Sequence, residues 1–444
     1  MNLKFHRLLL AATALAGAVP AHSQVSADVA AEIAALRAQI DALEAQVAEI
    51  RTASAAAPAP AAEGPEIRFR GAPQITAPGG WSFKPRGRIQ YDAGFVSSPD
   101  GISDPGLGFS NELRRGRLGV EGTIPGGFGY VFEMDFADNN VDITDAILTY
   151  KASDLITFTA GQHNNFQSLE ELTSSRFSSF IERAAFTDAF NFERRVGLSG
   201  TLTSGDLLVQ GGVFTDNIND LTDDGNNAIG ADARVVYAPS LGENTRLHFG
   251  ASGHWRNNRD LPEDGFTTRY RQRPLVHSTD VRFIATPTLS VENETHYGLE
   301  AAIIAGPFHA VGEVHWLDAN PLGTGSDYSF FGGYAEVGYF ITGESRGYRG
   351  GRFDRTSVEK PVGEGGLGAL QVNLRYDHVD LTSNVVVGGS QDGFQGSLIW
   401  IPTDYVRFMI NYARLQYDDA ALIAVDGDRD YAVDVLGARA QIDF

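Results

Sequence analysis

The 444-residue chain contains no cysteine, so neither a disulfide nor thiol chemistry is open to it. Lysine is nearly missing as well. Only Lys4, Lys84, Lys151 and Lys360 occur, and arginine carries almost all of the positive charge. After the N-terminal region no run of eighteen apolar residues follows, which excludes a transmembrane helix. No G-x-S-x-G nucleophile motif is present, and the acidic pairs have no partner chemistry, so no enzyme activity and no cofactor is expected. Base is outweighed by acid, with a formal net charge of -21. That balance argues against a nucleic-acid partner, which selects basic surfaces.

What is present begins with an export signal. Lys4, His6 and Arg7 precede the apolar run Leu8 to Val19, with small residues at Ala21 and Ser23. Twelve residues cannot span a bilayer as a helix, and the pattern fits a cleaved secretory peptide over residues 1–23. Val29, Ile33, Leu36, Ile40, Leu43, Val47 and Ile50 then recur at alternating steps of four and three. This is an a/d seam, with Glu32 and Arg37 placed for an ion pair between chains, and it predicts a coiled-coil helix over residues 27–51. An amphipathic helix on the protein's own surface is the blander alternative. Ala and Pro dominate the next stretch, so residues 52–80 read as an extended spacer.

From Trp81 the pattern changes to short alternating segments, as strands require. Tyr130, Phe132, Met134 and Phe136 alternate with Val131, Glu133 and Asp135. Leu247, Phe249, Ala251 and Trp255 oppose Arg246, His248, Ser252 and His254, and Val372, Leu374 and Tyr376 oppose Asn373, Arg375 and Asp377. In the last segment Leu436, Ala438, Ala440, Ile442 and Phe444 face away from Gly437, Arg439, Gln441 and Asp443. A soluble sandwich would also alternate, with its apolar face inward. The export signal, the aromatic-rich apolar faces and the terminal phenylalanine favour an all-β transmembrane antiparallel barrel over residues 81–444. At roughly twenty-odd residues per strand and turn, that length holds about sixteen strands.

Residues 111–200 carry the most specific signal. Three amphipathic strands lead into about thirty polar and aromatic residues before a strand resumes at Arg195. A loop of that length is usually functional. Ser168 and Glu171 stand at capping-box spacing, so it starts a short helix of its own. RRGRLGVEG, then GQ…F.SLEELTSS…ER and a second RR.G, resembles the phosphate-selective porins O and P of Gram-negative outer membranes. The match is dense over these residues and thinner through to Phe444. It implies a sixteen-stranded barrel in outer-membrane lipid, an in-folded constriction loop at about 162 to 195, a homotrimer, and small anionic or polar solutes as partners. One departure touches the phosphate preference. Family members carry a lysine-containing K-P-P-F where this chain has His163, Asn164, Asn165 and Phe166.

Arginine suits phosphate-like ions because its planar fork binds two oxygens at once. A channel responds to the charges lining its lumen, so the acidic net charge does not exclude anion passage. Arg115 and Arg117 share a strand face, while Arg114 points the other way unless the backbone bulges there. The resemblance implies that arginines of the RR motif, matched by Arg114 and Arg115, guide anions inward. An arginine ladder above the constriction is resembled by Arg269, Arg271 and Arg273 only in pattern. On the loop, Arg176, Arg183 and Arg194 are further candidates, as is His163, a residue mostly neutral near pH 7 and thus a weaker anion site. Salt bridges to Glu170, Glu171, Glu182 and Glu193, pinning the loop to the wall, are the duller reading. Arg346, Arg349, Arg352 and Arg355 recur every third residue in a Gly-rich stretch that reads as a loop. His309, Glu313 and His315 share a strand face, but polar lumen-facing residues explain them as well, and no metal is expected. The acidic run from Asp216 to Asp224 reads as a solvated external loop. A porin for a sugar or organic acid is the rival within transport, and a barrel anchoring a periplasmic tether is the rival outside it.

Overall fold

The computed structural model describes residues 27–56, 64–221, 227–258 and 267–444, so the expected export signal lies outside the described residues. The chain divides into two units, residues 1–63 and 64–444. The first contains helix α1, Ala27–Ala56, which runs five residues beyond the expected end. Its seam residues Ile33, Leu36, Ile40, Leu43 and Val47 are all exposed.

The second unit opens with ordered strands where an extended spacer is expected. Within the stretch expected to be a spacer, Glu66–Arg70 and Ala72–Ala77 form a tight antiparallel hairpin that continues onto the first barrel strand through Ala77 and Trp81. Sixteen strands then follow in chain order. They are β1 (Trp81–Val96), β2 (Gly108–Ile124), β3 (Phe128–Asp135), β4 (Asp142–Lys151), β5 (Ile156–Asn164), β6 (Arg194–Ser204), β7 (Leu207–Phe214) and β8 (Gly230–Tyr237). The second half comprises β9 (Thr245–Asn257), β10 (Leu289–Ala305), β11 (Phe308–Pro321), β12 (Tyr328–Phe340), β13 (Ala369–Asp380), β14 (Ser390–Thr403), β15 (Val406–Asp418) and β16 (Tyr431–Asp443). Each pairs antiparallel with the next, and β16 closes on β1 from Val435 opposite Val96 to Asp443 opposite Arg88. Closure leaves no open edge, which a backbone facing lipid cannot tolerate.

The faces decide between barrel and sandwich. On β13 Val372, Leu374 and Tyr376 are exposed while Asn373, Arg375 and Asp377 are buried, and β16 repeats the pattern with Leu436 and Ile442 outside and Arg439 and Gln441 inside. Apolar side chains outside and charge inside are what a membrane barrel presents. The rule fails near the rim remote from Phe444. There inward Leu317, Phe330, Tyr417, Val433 and Val435 cluster with Tyr270, Phe283 and Ile284 of the 258–288 connection. Apolar inward positions are stable there because a loop, not water, covers them.

Most connections at the terminus-bearing rim are tight, and the long ones, including residues 165–193 and the described residues 267–288, lie at the other. Residues 341–368 at the terminus-bearing rim fold a small hairpin of Gly347–Arg349 with Arg352–Asp354.

Candidate functional site: an arginine-lined chamber

The 165–193 segment is built from two short helices whose ends are satisfied by the barrel wall. Ser168 caps α2 (Leu169–Leu172), its Oγ accepting from Glu171 N at 3.2 Å. Its φ of 62° is rare for a side-chain-bearing residue, and strain of this kind persists only where the surroundings impose it. They do so here. Leu169 N and Glu170 N donate to the Glu313 carboxylate of β11 at 2.9 and 2.7 Å, so a buried acid meets the positive end of the helix. Arg183 donates to the carbonyls of Glu170, Glu171 and Thr173, closing the other end. Helix α3 (Ala185–Ala189) repeats the device, with Ala185 N donating to Asp377 of β13 at 3.0 Å. Its Phe186 lies against Gly332 of β12, where a Cβ would come within 2.5 Å of the Phe186 Cβ, so only glycine admits the ring.

Three buried wall arginines hold the middle of the segment. Arg407 donates to the carbonyls of Arg176 and Ser178 at 2.6 and 3.0 Å. Arg439 bridges Asp92 and Glu182, and Arg375 bridges Glu170 and Glu336. Burial alone would raise the Glu182 carboxyl, but Arg114, Arg115 and Arg439 hold it well below the usual carboxylate range. Contacts of this one segment thus reach the wall from β1 round to β11, β13, β15 and β16.

Between the segment and the terminus-bearing hairpin lies a cavity of about 1140 Å³. Eleven arginines and Lys84 line it, against four acidic side chains, Glu121, Asp145, Asp354 and Asp404. β1 supplies Lys84, Arg86 and Arg88 from alternate positions, β2 supplies Arg115 and Arg117, and the hairpin supplies Arg349 and Arg352. Many of these cations are paired. Arg86 and Arg88 reach Glu133, and Arg117 reaches Asp135 at 2.7 Å and Glu133 at 3.3 Å. Arg194 reaches Asp145 at 2.9 Å. Among the described residues Arg70, Lys84, Arg115 and Arg352 line the cavity without an ion pair, Arg115 donating only to Gln90 at 2.9 Å. Burial pulls the Arg176 guanidinium below its usual value, Asp443 opposes this, and Arg86 and Arg355 add to it. A buried cation crowded by like charges gains when an anion arrives.

The sequence candidates fall into three groups. Arg115, Arg117, His163, Arg176, Arg183 and Arg194 all line the cavity. Arg114 does not. The register between β1 and β2 slips at this residue, and the bulge turns it inward beside Arg115, where it grips Glu182 through two bonds of 2.9 and 3.2 Å. Arg269, Arg271 and Arg273 sit in the 258–288 connection outside the cavity. Arg269 and Arg271 are exposed on one side with Tyr270 and Gln272 buried on the other, and Arg273 is tied to Asp280 at 2.9 Å. His163 is engaged at both nitrogens, by the Asn164 carbonyl at 2.9 Å and Ser199 at 3.2 Å. His309, Glu313 and His315 do share the inward face, but Glu313 is taken up by the α2 N-terminus and Tyr334. Asp216, expected in a solvated loop, is buried against Arg256 at 2.7 Å. Lys84, Arg86 and Arg88 were missed, although their period of two in FKPRGRIQ was legible.

A closed barrel with lipid-facing apolar strands around a charged chamber defines a class, the outer-membrane porins. The chain belongs to the phosphate-selective porin O and P family, which it matches over residues 83–444. Residues 5–91 also match a family described only as a protein of unknown function. The chain is 47% identical over 464 residues to an uncharacterized protein of Caulobacter vibrioides, covering 96% of this chain and 92% of that one. With Porin O of Pseudomonas aeruginosa it shares 26% identity over 398 residues, covering 79% and 86%. Its fold is similar to that of an anion-selective porin from Comamonas acidovorans, with a TM-score of 0.52 at 12% identity over 82% of this chain and 100% of that one. OmpT of Vibrio cholerae in a trimer form is similar too, with a TM-score of 0.51 at 12% identity over the same shares.

Proposed function

We propose that this porin passes small solutes by diffusion and prefers anions, phosphate or other oxyanions among them. The observation that carries this reading is the imbalance of the chamber: twelve cationic side chains against four acidic ones, with Arg115 and Arg352 unpaired. Guanidinium groups that attract without a fixed counter-ion recruit anions and release them. In this reading the 165–193 segment is the constriction, and the hairpin at Arg349 and Arg352 narrows the path from the other side. The pore itself is the function, with no catalysis. The Comamonas acidovorans porin of similar fold is described as anion-selective, which agrees.

We further infer that residues 1–23 are an export signal and that the terminus-bearing rim faces the periplasm. In the periplasm α1 pairs with its copies as a coiled coil through the exposed Ile33, Leu36, Ile40, Leu43 and Val47, and the assembly is a homotrimer. Engagement of His163 at both nitrogens, where the family carries lysine, favours a second reading in which an organic anion replaces phosphate. The tether reading rests on α1 alone.

The test is the zero-current potential of the purified protein in a planar bilayer under a KCl gradient, repeated with added phosphate. An anion-selective sign with phosphate block of the chloride current is expected. Anion selectivity with block by an organic acid instead would move the assignment to the second reading. Cation selectivity would overturn both, and a protein forming no channels would leave the tether.

A further inference from the structure

Outside the chamber lining, the wall between the two ends of the 165–193 segment holds His254 of β9 with Glu294 and His296 of β10. One ligand atom from each lies within 4.8 Å of the others, and all three residues are buried. We propose that these three side chains form a binding site for one divalent transition-metal ion of the zinc class. The donor set is two imidazoles and one carboxylate, which suits zinc and its neighbours and suits magnesium or calcium poorly.

Three observations carry the assignment. His296 is 3% exposed, yet neither ring nitrogen makes a hydrogen bond. Its Nε2 stands 3.8 Å from a Glu294 oxygen, too far for a hydrogen bond. Ligands about 2.0–2.2 Å from a tetrahedral ion lie about 3.4 Å apart, so small side-chain rotations complete the shell. A buried polar ring without a partner is costly unless something binds it. The second observation is outside the ligand set. His254 Nδ1 is held by Asp232 Oδ1 at 2.6 Å, leaving Nε2 free, and Tyr270 donates to Glu294 Oε2 at 2.7 Å. Carboxylate–histidine pairs of this kind orient metal ligands and raise their basicity.

The third is that nearby alternatives are engaged elsewhere. His315 faces Glu313 at 3.3 Å and stacks on Phe186, and Arg256 is paired with Asp216. The site also has a place in the pore's mechanics. Asp232 Oδ2 accepts from Phe166 N at the start of the segment, while Phe192 near its end lies 5.7 Å from the His296 ring. An ion here would tie β9 to β10 between the two ends of the segment.

The experiment uses untagged full-length protein in detergent, stripped with chelator, titrated with Zn²⁺ by calorimetry and with Co²⁺ by visible absorption. One ion per chain is expected, with the intense Co²⁺ bands that a four-coordinate, non-centrosymmetric site gives. His296→Ala should abolish binding, and Asp232→Asn, which keeps all three ligands, should weaken it about 10- to 100-fold. Absence of binding to the wild type, or equal affinity in His296→Ala with an intact barrel by circular dichroism, would overturn the proposal. Should His296→Ala fail to fold, the wild-type Co²⁺ spectrum decides. Weak octahedral bands of an all-oxygen site would refute the assignment as firmly as no binding.

Discussion

Arg115 and Arg117 stand two residues apart on one strand face, line one chamber, and differ in a way that makes them separable by mutation. Arg115 has Gln90 beside it and no carboxylate, whereas Arg117 neutralises Asp135 and Glu133. Arg115→Gln is therefore expected to weaken phosphate block of the chloride current about 10-fold, the loss of one charge-assisted contact of about 1.4 kcal/mol, with the barrel's heat resistance unchanged. Arg117→Gln leaves Asp135 without its cation, while Glu133 keeps Arg86 and Arg88, and is expected to lower barrel stability by about 1–3 kcal/mol, measured by thermal unfolding in detergent. At this scale the chain was partly legible. The RR motif pointed to Arg115, and GQ…SLEELTSS to Arg176. Lys84, Arg86 and Arg88 are harder to read because Pro85 and Gly87 interrupt the apolar alternation of Trp81, Phe83, Ile89 and Tyr91 on the opposite face. The bulge at Arg114 depends on a β1–β2 register slip that no single-strand alternation encodes.

Elements bring the acids into view. Glu313 satisfies two backbone donors of α2 and the Tyr334 hydroxyl at once. Each buried donor left without an acceptor costs about 1–3 kcal/mol. Glu313→Ala is expected to leave the barrel closed but free the segment, raising open-channel noise and hydrogen exchange at Leu169 and Glu170. A pH effect follows from Glu182. Its carboxyl is depressed in the docked segment, so its contribution is complete above the ordinary value of about 4.5 and is lost as the pH falls through the depressed value. Reversible loss of the constricted state in acid is expected, read as rising conductance below about pH 4.5, and Glu182→Gln should abolish that acid step. The Ser168 cap was readable from S-x-x-E. Its anchors were not, since Glu313 lies 144 residues from Leu169 and Asp377 lies 192 from Ala185.

For the whole molecule, the barrel and α1 belong to separate units, so deleting residues 27–56 should leave single-channel conductance and selectivity unchanged in planar bilayers. A change in conductance would mean that α1 acts on the pore. Subunit association, measured by sedimentation of the same variant in detergent, should weaken if the exposed seam of α1 joins chains, and stay as it was if the barrel wall alone does.

Alternation at period two determined by itself that residues 81–444 form amphipathic strands, and the scarcity of lysine determined that arginine supplies nearly all of their positive charge. Such features are local: each residue's face follows from its neighbours and from the two solvents it must meet. Only the tertiary structure decided which arginines share a chamber, which acids neutralise them, and where two histidines and a glutamate converge. Those are contacts between strands far apart in the chain, set by barrel closure, by register slips and by loops turning inward. Pairing of this kind depends on the positions of all sixteen strands at once, and one residue's slip exchanges the lumen for the lipid.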